Sequence, residues 1–251
     1  PRPDDFQIKE AAEKIKKSKN PIIISGGGVF YSNAMEELSN FAIKHNIPVT
    51  QTVMGYSTMK RDHSHYAGQI GGLGGKNTND LAKETDLAIA VGTKLADFTT
   101  GSWANFENEN FKLLSINVSR FDANKHLAQA VIGDAKVSLI ELSEALGDWK
   151  VGDEWNEKSQ RELKVWNEHI DKESAPTNQE VPSYIQVIGA IYRNSEPTDI
   201  AVTAAGGLVG EVVQVWRPKE LNTHETEWGF SCMSYEISGA LGINCLLYTS
   251  P

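Results

Sequence analysis

The segment PIIISGGGVFYSN (residues 21–33) joins a strand-like run to a triple-glycine turn and then to the start of a helix-like pattern. Residues 21–25 are apolar without alternation, which is typical of a strand buried on both faces of a parallel sheet. Before them, residues 8–15 place apolar side chains at helical spacing, and after them Asn33 and Glu36 are predicted to form a capping box. The segment therefore predicts a helix–strand–turn–helix unit of an α/β protein.

The same alternation of patterns continues as far as residue 147. Further strand-like runs lie at 47–53, 86–93 and 112–118, and further helix-like runs lie at 78–85 and 134–146. Because parallel strands are joined by right-handed helical crossovers, residues 1–147 are predicted to form an α/β domain with a doubly wound parallel sheet.

Residues 148–182 interrupt this alternation. They are rich in charge and have no strand pattern, so they are interpreted as an inter-domain helix followed by a linker. The alternation resumes with a helix-like run at 183–194 and a strand-like run at 199–204. Since one strand and two helices cannot bury a parallel sheet, residues 183–243 are predicted to begin a second α/β domain that is incomplete in this chain.

The composition excludes several classes of partner. The formal net charge of −9 argues against a nucleic-acid partner, because phosphate neutralisation needs clustered Lys and Arg. The two cysteines, Cys232 and Cys245, form neither a disulfide framework nor a metal-site spacing, which favours a reducing cytoplasm. No apolar run reaches the roughly 18 residues of a membrane span. The composition is that of an ordinary soluble globular protein.

Several motifs allow two interpretations. The triple-glycine turn could bring backbone N–H groups close to a phosphate, but it lacks the G-x-G-x-x-G spacing of dinucleotide sites. A tight packing turn is the preferred interpretation, and a non-catalytic nucleotide-binding module is the alternative. The second glycine-rich loop, residues 68–79, is expected to pack against a neighbouring domain. The histidines of residues 62–66 are interpreted as surface residues, and Cys232 as a buried, inert thiol.

The segment TAAGGLVGE (residues 203–211) ends the strand-like run in small residues. Ligands of open α/β sheets bind outside the carboxyl ends of the strands, so the backbone amides of Gly206, Gly207 and Leu208 could face a phosphate. A simple turn is an equally good interpretation of these residues alone.

The segment GFSCMSYEISGALGI (residues 229–243) resembles the G-x-M-G turn of thiamine diphosphate enzymes in the acetolactate synthase group. PIIISGGGV, IPVTQTVMG and DLAIAVGT are similar to the central domain of that group. FSCM, together with residues 97–103 and 116–126, resembles a narrower branch that hydrolyses a carbon–carbon bond of a trihydroxylated cyclic 1,2-dione in inositol catabolism. An acetolactate synthase-like carboligase is the alternative.

The resemblance implies thiamine diphosphate and Mg²⁺ as cofactors, and it leaves open whether the central domain holds FAD or another nucleotide. It implies a small cyclic dione as substrate and a homo-oligomer, either a dimer or a tetramer. Met233 matches the apolar wedge that lies beneath the cofactor, and Ser231 matches the backbone carbonyl that accepts from its aminopyrimidine. By position, Gly206, Gly207 and Leu208 would border the diphosphate. Ser234 departs from the glycine usual after the wedge.

The resemblance also implies that parts of the active site lie outside the chain. The glutamate that activates the cofactor belongs to a domain before residue 1, and the magnesium ligands belong after residue 251. No catalytic residue and no metal ligand is therefore expected within the chain, and the chain alone is expected to be inactive. Residues 244–251 match nothing in the family and are predicted to be a non-native tail.

Overall fold

A six-stranded parallel sheet organises the first part of the protein in the computed structural model, which describes residues 1–249. Its strands are β1 (Pro21–Ser25), β2 (Val49–Gln51), β3 (Tyr66–Gln69), β4 (Leu87–Val91), β5 (Lys112–Asn117) and β6 (Gln129–Ile132). They lie in the order β3-β2-β1-β4-β5-β6. Its helices are α1 (Asp5–Lys16), α2 (Gly27–Tyr31), α3 (Met35–His45), α4 (Lys76–Glu84), α5 (Asp97–Thr100), α6 (Arg120–Ala123) and α7 (Ala135–Leu146). The predicted α/β fold with a doubly wound parallel sheet is confirmed.

Burial of the central strands on both faces explains why their sequences are apolar without alternation. Every residue of β1 and of β4 is buried, since helices cover both faces of the sheet. The helix ends follow from local chemistry. Asp4 caps α1 by accepting from the amide of Phe6, and Asp134 caps α7 by accepting from two backbone amides.

The predicted capping box at Asn33 and Glu36 is wrong. The glycine turn itself forms the short helix α2, and α3 then begins at Met35 with Ala34 at its N-cap and no side-chain cap. Asn33 has a φ of 49° and so links the two helices through the left-handed region, which asparagine tolerates better than most residues. Its side chain therefore does not serve as a cap.

The interpretation of the 62–66 histidines as surface residues is wrong for His65. This side chain is 7% exposed, and its ring lies 2.9 Å from both Ser64 Oγ and Asn46 Oδ1. Burial, and secondarily the neighbouring His63, lower the pKa of His65 to about 4. His65 is thus a neutral, hydrogen-bonded core residue immediately before β3.

The triple-glycine turn packs against the turn that follows β4. A Cβ on Gly26 would lie 2.4 Å from the carbonyl oxygen of Gly92, and one on Gly28 would lie 2.6 Å from the Gly92 Cα. Strands β1 and β4 are neighbours in the sheet, so the two turns leave it side by side. Close backbone packing accounts for these glycines, which favours the packing interpretation over a dinucleotide site.

A smaller parallel sheet follows the long helix α8 (Asp153–Glu173). Its elements are α9 (Tyr184–Arg193), β7 (Ala201–Thr203), α10 (Leu208–Val215), β8 (His224–Thr226) and α11 (Tyr235–Thr249). Ser183 and Gln186 form a complete capping box at the start of α9. Helix α11 includes residues 244–249 of the predicted non-native tail, whereas Ser250 and Pro251 lie outside the described residues.

Helix α8 packs against the six-stranded sheet and against helices α9 and α10. Leu163 belongs to the hydrophobic core of the six-stranded sheet, and Ile170 belongs to a second core with residues of α9 and α10. The glycine-rich loop 68–79 also contacts helix α10, because the Gln214 side-chain amide donates to the Leu73 carbonyl. Among residues 1–249, none of the helices combines the length and apolar character that crossing a membrane requires.

Replacing Tyr56 with phenylalanine is expected to destabilise the contact between the first part of the protein and helix α10. Tyr56 is 4% exposed, and its single hydroxyl proton is shared between the carbonyls of Val213 (3.0 Å) and Trp216. Loss of this donor leaves a buried carbonyl unpaired and should lower the free energy of unfolding by about 1–3 kcal/mol, measured by urea denaturation. The control Tyr184→Phe alters an exposed side chain and should change it by less than about 0.5 kcal/mol. Equal effects of the two variants would contradict the assigned hydrogen bond.

Candidate cofactor site

The carboxyl ends of β7 and β8 bring the predicted site residues to one edge of the second sheet. The two strands are parallel, with Thr203 opposite Thr226, and the amide of Glu227 donates to the carbonyl of Thr203 at 3.3 Å. The turn after β7 holds Gly206, Gly207 and Leu208, and the turn after β8 holds Ser231 and Met233. Five residues predicted from separate motifs thus follow neighbouring strand ends.

The backbone of the turn after β7 has free space beside it. Gly206 has a φ of +116°, which favours glycine, and Gly207 is the N-cap of α10. A Cβ on either glycine would meet no atom within 4 Å. The first N–H groups of a helix have no intrahelical partner and carry partial positive charge, so this turn offers donors to an anionic group.

The turn after β8 presents an apolar side chain. Met233 is 82% exposed, although a methionine ordinarily gains by burial. Ser231 and Ser234 flank it with φ of 51° and 74°, both in the left-handed region. The value at Ser234 explains why glycine suits this position, because serine is strained there.

Glu227 organises the same turn. One oxygen of its carboxylate accepts from the amide of Phe230 and the other from the amide of Cys232, each at 2.7 Å. The bond from the Cys232 amide, followed by that from Phe230, lowers the pKa of Glu227. Glu227 is not among the residues predicted from the sequence. Its only signal there is an acidic side chain two residues before Gly229, the glycine that opens the turn.

Cys232 is exposed, so the prediction of a buried thiol is wrong. Desolvation and the negative charge of Glu227 raise the pKa of the thiol. A nucleophilic cysteine needs the opposite shift, so these contacts do not activate the thiol.

A buried histidine, His224, lies in β8 and packs against Thr203 and Tyr56. His224 Nε2 lies 3.2 Å from Thr203 Oγ1, and the ring meets Tyr56 edge to face at 4.9 Å between centroids. Burial lowers the pKa of His224 to about 4, so the ring is neutral at neutral pH. Within residues 1–249, no group of three or more His, Cys, Asp or Glu side chains is arranged to hold a metal ion.

Comparison with known proteins identifies a family and a set of similar sequences. Residues 8–142 match the family described as thiamine pyrophosphate enzyme, central domain. The chain is 37% identical to a 3D-(3,5/4)-trihydroxycyclohexane-1,2-dione hydrolase of Clostridium tetani, over 96% of this chain and 41% of the relative. Proteins of the same name from Bacillus anthracis and Geobacillus thermodenitrificans are 35% and 36% identical, with the same shares of each chain covered.

The matched residues 8–142 contain all six strands of the first sheet, and the chain spans about two fifths of the length of these relatives. The chain belongs to the thiamine pyrophosphate enzyme family, and its six-stranded sheet is the central domain of that family.

Proposed function

We propose that this chain is part of a thiamine diphosphate-dependent hydrolase that opens the ring of a trihydroxylated cyclohexane-1,2-dione in inositol catabolism. The observation that carries the proposal is the extent of the similarity. Relatives bearing that name match 96% of the chain, so the likeness reaches beyond the central domain into the second sheet. In this proposal residues 1–147 are the central domain, 148–182 the connection, and 183–243 the start of the cofactor-binding domain.

The residues at the carboxyl edge of β7 and β8 fit the cofactor. The open space at Gly206 and Gly207 and the free N–H groups of α10 suit a diphosphate. The exposed Met233 suits an aromatic heterocycle, because a thioether is large, unbranched and polarizable. When bound, thiamine diphosphate supplies the stabilised carbanion needed to cleave a bond next to a carbonyl.

The residues of this chain have binding and positioning roles in the proposal. Backbone amides of residues 206–208 would hold the diphosphate, the Ser231 carbonyl would accept from the aminopyrimidine amine, and Met233 would orient the cofactor rings. Fixing that geometry before reaction removes an entropic cost from the catalytic step. Mg²⁺ binding, assembly as a dimer or tetramer and a cytoplasmic location also belong to the proposal, on the strength of the family resemblance.

The test is product analysis with the complete enzyme, thiamine diphosphate, Mg²⁺ and the cyclic dione. Hydrolysis adds one water and breaks one ring bond, so one carboxylic acid, heavier than the substrate by one water, should form for each dione consumed. Mass spectrometry and NMR would detect it, and the reaction should stop when thiamine diphosphate is left out. The 251-residue chain by itself should leave the dione unchanged. An intact dione together with condensation of pyruvate would overturn the proposal and support the carboligase.

A further inference from the structure

Glu227 lies just before the turn that carries Met233 and holds that turn through hydrogen bonds of both its backbone and its side chain. Its backbone amide is bonded to Thr203 in the neighbouring strand, and its carboxylate accepts the amides of Phe230 and Cys232. One residue, through its backbone amide and its side chain together, thus links the turn to the strand that leads to Gly206. Hydrogen bonds to an ionised carboxylate are stronger than those between neutral groups.

The turn needs such support. Ser231 and Ser234 both have positive φ without being glycine, and strained backbone of this kind persists only where surrounding contacts hold it. Phe230 and Met233 are exposed, so core packing does not supply those contacts. The Glu227 carboxylate supplies such contacts, because it accepts from the backbone amides of Phe230 and Cys232 within this turn.

We propose that Glu227 is a positioning residue for the reaction: it holds the turn of residues 229–233 so that Met233 is presented at the cofactor edge. This rests on the proposed function, since it takes the edge of β7 and β8 to be the cofactor site. The neighbouring Trp228 packs edge to face on Phe98, with 5.4 Å between ring centroids, and so ties the same turn to the central domain.

The first test needs no cofactor. Glu227→Gln keeps the size of the side chain but places an NH₂ group against a backbone N–H, so one of the two bonds is lost. In the 251-residue chain, amide hydrogen exchange of residues 230–232 should become about tenfold faster, while exchange in β1 and β4 stays unchanged. Glu180→Gln, which removes the same charge from an exposed position, is the matched control and should leave exchange at 230–232 unchanged. Unchanged exchange in Glu227→Gln would overturn the proposal.

The second test uses the complete enzyme. Glu227→Gln should lower kcat about 10-fold to 100-fold and weaken thiamine diphosphate binding less than about threefold, because the residue acts through geometry. Near-UV circular dichroism of the bound cofactor should change as well. Glu180→Gln should match the parent in all three measurements.

A double variant shows whether Glu227 acts through Met233. If it does, Glu227→Gln combined with Met233→Ala should be no slower than Met233→Ala alone. If the fold-losses of kcat in the two single variants multiply in the double variant, the proposal is overturned. It is also overturned if the Glu227→Gln enzyme has the same kcat as the parent. In either case a parent enzyme that opens the dione would leave the proposed function standing. A parent that leaves the dione intact would refute that function, whereas the exchange measurement would still report on the turn.

Discussion

Replacing Met233 with alanine in the complete enzyme is expected to lower kcat about 100-fold while weakening thiamine diphosphate binding by no more than about tenfold. The side chain is large, apolar and 82% exposed at the edge where the cofactor is proposed to bind. If it holds the cofactor in its reactive shape, its loss damages the catalytic step, which depends steeply on geometry. Steady-state kinetics and calorimetric titration of the cofactor would measure the two effects separately.

Two variants serve as controls for Met233. Met233→Leu keeps most of the volume and should retain kcat within about tenfold of the parent. Met35→Ala makes the same chemical change where the side chain packs against the core of the first sheet, and it should lower stability without a selective loss of kcat. Proportional losses of kcat and cofactor affinity in Met233→Ala would show that the residue contributes contact area alone.

Replacing Gly92 with alanine should destabilise the central domain by about 3 kcal/mol or more. Gly92 has a φ of +60°, and a Cβ there would lie 2.6 Å from the Gly28 Cα and 2.9 Å from the Val29 amide nitrogen. These are backbone atoms of the facing turn, so the contact cannot be relieved by a side-chain rotation. Overpacking and positive φ therefore act together, and denaturant unfolding would measure their sum.

Gly147→Ala measures backbone strain without overpacking. Gly147 also has a positive φ, +62°, with a ψ of −125° that lies outside the left-handed helical region, and a Cβ there would meet no atom within 4 Å. The variant should lose about 1–3 kcal/mol from backbone strain alone. A Gly92→Ala variant that loses less than about 1 kcal/mol would refute close packing between the two glycine turns.

Much of the fold could be predicted because several of its strands are fully buried and several of its helices are long enough to show a clear apolar face. The continuous apolar runs of β1 and β4 and the periodic stripes of α1 and α7 report directly on the faces they bury. The edge strands β3 and β6 were not found, because YAGQ and QAVI are short and partly polar. Their place in the sheet is set by tertiary pairing rather than by local pattern.

In the second sheet, β8 (HET) is likewise short and polar, and no pattern after the glycines predicts the helix α10. The pairing of β7 with β8 is what brings residues 206–208 and Met233 to one edge, and it joins positions more than twenty residues apart. Sequence patterns identify residues 206–208 and Met233 as separate candidates. The parallel register of β7 and β8 is needed to show that both follow the same end of the sheet.

Glu227 could not be predicted because its role depends on the path of the turn. A carboxylate five residues before a cysteine has no recognised spacing, and the two amides converge on it in a turn where Ser231 has a positive φ. The errors at Asn33 and His65 have a similar origin. In each case the backbone conformation or the burial of the residue overrides the preference of its side chain.

The most direct test is a crystal structure of the complete enzyme with thiamine diphosphate bound. The account predicts that the Met233 side chain lies within about 4 Å of the cofactor rings and that the amides of residues 206–208 face the diphosphate. A structure in which Met233 packs into ordinary core, with the cofactor bound elsewhere, would contradict it.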